Sequence, residues 1–131
     1  EDMRARVLRE IVYREGQPIF RKRLLDAYNR ACAVTDCAIA ELLEAAHIIP
    51  YSGAQHCKAM HGILLRADIH TLFDKGLLWI DQNFRVSLDP GLLNSEYGHL
   101  QGKLMRLPEA RMDRPLKAHL AYHRALFVKK L

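Results

Sequence analysis

The apolar run from Leu42 to Ile49 carries a histidine near its end, and the residues that follow limit how such a run can fold. Pro50, Ser52 and Gly53 open a loop, because proline and glycine punctuate regular structure. Gly62 to Leu65 is short and apolar enough for a second strand. Asp68 can cap a helix that ends near Gly76. Two strands and a helix are therefore expected in direct succession. His47 would close the first strand, while His70 and Asp74 stand four residues apart on the helix. That spacing puts both on one helix face, where they can grip a single divalent cation. A histidine facing such a cation supplies a base for water beside a Lewis acid for phosphate, the pair that phosphodiester hydrolysis needs.

The flanks read as helices and a hairpin. Val7, Leu8, Ile11 and Val12 recur at helical spacing between Asp2 and about Arg14. Gly16 is expected to stop that helix and Pro18 to open a second, running to about Asn29 with Ile19, Leu24, Leu25 and Tyr28 inward. Cys32-Ala33-Val34 fits a short strand or turn. Leu77 to Ile80 and Phe84 to Leu88 flank Asp81-Gln82-Asn83, which predicts a hairpin. The tail from Leu116 to Lys130 reads as an amphipathic helix, with His119 and His123 on its exposed face. The fold class is α+β: a ββα unit and a small β-hairpin, flanked by N- and C-terminal helices.

No repeat, low-complexity segment or linker divides the chain, so one domain over 1–131 is expected, with its core at about 32–90 and helical flanks at 2–29 and 108–130. The chain begins at Glu1, as an excerpt of a longer protein would. A net charge of +5 and a pI near 9.3 favour an anionic partner, most simply nucleic acid. Cys32, Cys37 and Cys57 are odd in number and sparse, which argues against a secreted disulfide framework and for a reducing, cytoplasmic setting. They read as small buried thiols. No apolar run reaches the roughly 20 residues that span a bilayer.

At Glu44-Ala45-Ala46-His47-Ile48-Ile49-Pro50-Tyr51 and at Gly62-Ile63-Leu64-Leu65-Arg66-Ala67-Asp68-Ile69-His70-Thr71-Leu72-Phe73-Asp74 the chain resembles the HNH endonucleases. Within them it looks like a bacterial subgroup common in modification-dependent restriction and other defence proteins. The resemblance extends to Arg14-Glu15-Gly16-Gln17 with Phe20-Arg21, to Cys32-Ala33-Val34-Thr35, and to Tyr97, Leu100, Gly102 and Leu107-Pro108. It implies a ββα-metal catalytic core that hydrolyses DNA with one divalent cation, Mg2+ favoured and Mn2+, Ni2+ or Zn2+ as alternatives. His47 would be the general base, His70 a metal ligand and Asp74 a further ligand. Glu44 would support the site or help hold the metal. His61 stands where the family usually has an Asn that ties the loop between the strands, and neutral histidine can also donate and accept. Ala46 stands where many members have an Asp or His ligand.

Other basic residues have two readings each. Arg66 would clamp a neighbouring phosphate, or pair with Asp68 or Glu44. Arg21, Lys22 and Arg23 would add salt-dependent affinity for DNA, or keep a helix solvated. The expected partner is duplex DNA gripped by its backbone, with a separate recognition or sensor module directing the cut. The alternative is a catalytically inert HNH-fold module that binds DNA or serves structurally.

Overall fold

A computed structural model describes residues 2–50 and 57–128, and the side chains of all of these except 12–16. Tyr51, Ser52 and Gly53 of the expected loop, the side chains of Arg14 and Glu15, and the last residues of the tail lie outside the described residues.

One long helix, α1 (Met3–Ala27), replaces the two expected at the N-terminus. Asp2 caps it, its carboxylate accepting the Arg4 N–H at 3.0 Å. The helix runs through Gly16 and keeps Pro18 inside it. An interior proline costs about 3 kcal/mol relative to alanine. Phe20, Leu24 and Leu25 follow directly and are buried, each at a gain of roughly 1.5–3 kcal/mol. Tertiary burial thus outweighs the local breaker. Phe20 and Leu24 share the inward stripe, so Ile19, one residue earlier on the helix, faces solvent rather than the core. Asn29 and Arg30 adopt left-handed φ values of 53° and 58° and end α1, with the Arg30 N–H closing onto the Leu25 carbonyl at 2.8 Å.

Cys32 to Cys37 is a turn, closed by the Cys32 N–H on the Cys37 carbonyl at 2.9 Å. The buried Cys32 sulfur accepts the backbone N–H groups of Val34, Thr35 and Arg66 at 3.3 to 3.4 Å. The Ala33 N–H reaches the Leu64 carbonyl at 2.9 Å, so the turn is docked onto the strand that follows in the motif.

Strand β1 (Leu43–His47) pairs antiparallel with β2 (Gly62–Arg66), with His47 opposite Gly62 and Leu43 opposite Arg66. β2 passes without a loop into α2 (Ala67–Asp74). Asp68 is not the cap: Arg66 occupies that position, and Asp68 lies in the first turn with its carboxylate on the Ile69 N–H at 3.0 Å. Past the end of α2, Gly76 takes a left-handed φ of 70°, which glycine tolerates without strain. The hairpin β3 (Leu78–Ile80) and β4 (Val86–Leu88) forms where the turn residues direct it. The Asp81 carboxylate accepts the N–H groups of Asn83 and Arg85 at 2.8 and 3.0 Å. Helix α3 (Lys117–Ala125) returns against β3. The core gathers Phe20 and Leu24 from α1, Ile63 and Leu65 from β2, Ile69 and Phe73 from α2, and Leu78 and Ile80 from β3. This is the expected α+β arrangement, and no described helix is long and apolar enough to cross a membrane.

Gly62 is required by close approach. A Cβ there would stand 2.4 Å from Phe20 Cζ and 2.8 Å from the Ala46 carbonyl oxygen. The ring is locked in the core and the carbonyl belongs to the facing strand. Gly62→Ala should therefore destabilise the protein by about 1–3 kcal/mol, as overpacking of a tight core does. Thermal denaturation at the parental midpoint would contradict this account.

Candidate active site

The ladder, α1 and α2 bring three motif residues to one pocket. His47, at the end of β1, lies against the Phe20 ring with centroids 4.2 Å apart and planes 20° apart. His70 projects from α2 between two carboxylates: its Nδ1 is 2.8 Å from Glu44 Oε1 and its Nε2 is 3.1 Å from Asp74 Oδ2. His47, His70 and Asp74 line a pocket of about 240 Å³, closed on one side by His123, Leu126 and Phe127. A larger cavity of about 650 Å³ lies between α1 and the Lys58–Met60 segment and holds none of these residues. Chemistry rather than size assigns the site.

The electrostatics of His70 follow from its two bonds. The hydrogen bond to Asp74 and that to Glu44 raise its pKa above the ordinary histidine value, against desolvation. Glu44 and Asp74 meet opposite edges of the ring, so one ion on a ring nitrogen can share only one of them. Nε2 and Asp74, one helical turn apart, form an N,O pair suited to a divalent cation. Glu44 on Nδ1 is then placed as a carboxylate that orients a ligating histidine. Among the described residues no three His, Cys, Asp or Glu side chains are placed to hold a metal ion together. Ala46 has no donor atom, so the position directly before His47 offers no ligand.

His61 ties the loop to the strand. Its Nδ1 accepts the Lys58 N–H at 3.2 Å, and its carbonyl accepts the N–H of Ile48, the residue after His47, at 3.1 Å. A backbone donor on Nδ1 leaves the proton of the neutral ring on Nε2.

The arginines stand elsewhere. Arg66 is at the far end of the ladder from His47, roughly 13 Å at 3.3 Å per residue. Its guanidinium forks onto both oxygens of Asp68 at 2.7 and 2.9 Å, and the Tyr97 hydroxyl donates to the same carboxylate at 2.7 Å. Arg66 is thus salt-bridged to Asp68, with a third of its side chain exposed. Arg21 donates to the Leu43 and Ala40 carbonyls, and Arg23 to the Cys57 carbonyl. Lys22 is exposed and pairs with Asp26, one turn on, at 3.4 Å.

His123 is the residue that sequence reasoning missed. It is not on an exposed face but buried, its ring stacked on Phe73 at 3.8 Å and its Nε2 2.9 Å from the Phe73 carbonyl. Burial pushes its pKa down, against the hydrogen bond to the Phe73 carbonyl. Leu120 and His123 share the buried stripe of α3, and that spacing was the available signal.

Residues 32–81 match the family model described as HNH endonuclease. That match covers less than half of the chain, and over it the chain is similar to the HNH endonucleases, nucleases that generally use a divalent metal. Solved structures match as well, among them one titled modification-dependent TagI restriction endonuclease, at a TM-score of 0.57 and 21% identity. That match covers 80% of this chain and 36% of the other, so the chain spans little more than a third of that protein's length. At this identity the likeness is one of fold. No curated protein matches.

The Arg66–Asp68 pair makes a pH prediction. The hydrogen bond from Arg66, with that from Tyr97, holds the Asp68 carboxyl at about 2, against a usual 3.8. A folded-state value below the unfolded one gives stability that is present above pH ~4 and lost as pH falls through about 2. Asp68→Asn should flatten the fall in melting temperature between those limits. An unchanged acid limb would show that the pair contributes nothing.

Proposed function

We propose that this chain is the catalytic domain of a metal-dependent DNA endonuclease, directed to its target by a separate recognition or sensor module. The observation that carries the proposal is the shared pocket, in which a strand-end histidine faces a helical His–Asp pair within the segment that matches the family. His47 is the general base: near neutral pH an imidazole can take a proton from the water that attacks phosphorus. The Phe20 ring beneath it fixes the imidazole plane, and His61 fixes the loop end that follows it. His70 and Asp74 would hold the cation, Mg2+ favoured, with Glu44 orienting His70 rather than ligating. When bound, the cation supplies Lewis-acid stabilisation of the charge that grows on the phosphate.

The substrate in this reading is duplex DNA held by its backbone, and the setting is restriction or defence. Base reading is assigned to chain outside these residues, in keeping with the share of the neighbour that they span. Ala46, which leaves no ligand at the position directly before His47, is what would favour the inert-module alternative.

Nicking of supercoiled plasmid separates the two. Cleavage should stop in EDTA and return with added Mg2+ or Mn2+, and His47→Ala should slow it by about 10²–10⁴-fold, the usual worth of a general base, while leaving folding intact. Cleavage that persists in excess chelator removes the metal from the mechanism, and parental rates in His47→Ala remove the base. No cleavage with any divalent cation leaves the inert module.

His61 offers a finer test. Asparagine at this position can also accept from one loop amide and donate to another. His61→Asn should keep the fold and cleave at least as fast as the parent. A ten-fold drop with an unchanged circular dichroism spectrum would mean that the imidazole itself takes part.

A further inference from the structure

The C-terminal end of α2 is finished by a residue from another helix. A helix leaves its last carbonyls without intrahelical donors, and they must find partners elsewhere. The Phe73 carbonyl, in the last turn of α2, accepts the Gly76 N–H at 3.1 Å and His123 Nε2–H at 2.9 Å. A carbonyl only accepts, so the His123 proton sits on Nε2. The ring lies nearly parallel to Phe73, at 4° and 3.8 Å, and is 4% exposed. One turn further on, Phe127 meets the His123 ring edge-on at 5.4 Å and lies over Gly76, where a Cβ would come within 2.2 Å of the ring. Phe73 precedes Asp74 directly, and Asp74 is bonded to His70.

We propose that His123 is a positioning residue of the metal site: by capping α2 from α3, it fixes where the Asp74 carboxylate stands relative to His70. The inference rests on the proposed metal-dependent function and adds a component from outside the matched segment 32–81. Donor and stack divide the work. The stack sets the distance between α2 and α3, and the hydrogen bond sets how far the last turn of α2 is wound. Unwinding that turn would move the Asp74 carboxylate while leaving His70, a turn earlier, in place. The N,O pair would then open.

Two variants separate these contributions. His123→Phe keeps an aromatic ring on Phe73 and loses the donor; His123→Gln loses the stack and keeps an N–H of similar reach. In metal-free protein, hydrogen exchange at the Lys75 and Gly76 amides, which close the end of α2, should speed up at least ten-fold in His123→Phe and much less in His123→Gln. Mn2+ affinity, read by electron paramagnetic resonance, should fall about ten-fold in His123→Phe, the scale seen when a group that orients a ligand is lost. It should recover to within about three-fold of the parent in His123→Gln, an expectation from the same principle. The turnover of plasmid should follow Mn2+ affinity, with KM for DNA unchanged.

Unchanged exchange in His123→Phe overturns the cap whatever the enzyme does. Faster exchange with parental Mn2+ affinity overturns the positioning role and leaves the nuclease reading standing. Equal losses in both variants, tracking a lowered melting temperature, reduce His123 to a core residue. A parent that binds no divalent cation overturns both this inference and the metal-dependent function.

Discussion

The Phe20 ring is the contact on which the site depends. It fills the space that Gly62 leaves by lacking a Cβ, and it lies flat against His47 on the strand opposite. Strand pairing places His47 across from Gly62, so one aromatic side chain from α1 meets both members of that pair. Short two-stranded ladders are marginal without packing on one face, and the Phe20 ring supplies that packing at the His47 end. The helix that carries Phe20 tolerates an interior proline to deliver it. α1 is therefore part of the site's architecture, although none of its described side chains lines the pocket beside His47 and His70.

The basic character of the chain has a different meaning in the folded protein than in the composition. Arg21, Arg23, Arg66, Arg106 and Arg114 all donate to carbonyls or to a carboxylate within the domain. A guanidinium has five donors in a fixed fork, which suits it to finishing turns and strand ends that lack backbone partners. Charge counting treats these arginines as an advertisement for polyanions. Much of that charge is used to close the protein's own loops.

The ββα unit was legible because its pattern is local: an apolar strand, a loop, a glycine-led strand and a helix with His70 and Asp74 one turn apart. The hairpin was legible for the same reason, in the Asp81 turn. What could not be read depended on partners distant in sequence. Burial of Phe20, Leu24 and Leu25 carried α1 through Pro18, against local preference. Asp68 had the composition of a cap, yet the tie to Arg66 and Tyr97 drew it into the first turn. His123 looked like an exposed histidine until the Phe73 carbonyl, 50 residues earlier, became its acceptor. Glu44 and Asp74 could be named as acids near His70, but only coordinates separate them onto opposite edges of its ring.

The turn that precedes the motif is completed late in the chain. Arg106 donates to the Tyr28 and Ala31 carbonyls and its N–H reaches Ala33, while Lys103 holds the Val34 carbonyl. These links span 69 to 78 residues of sequence. A ribosome delivers the chain from the N-terminus, and domains generally fold as units once their parts have emerged. On a nascent chain that has reached only residue 81, β1, β2 and α2 are present while the side chains that partner the carbonyls at the end of α1 are not. The stretch bearing the chemical signature therefore ends well before Lys103 and Arg106, whose side chains satisfy the turn in front of it.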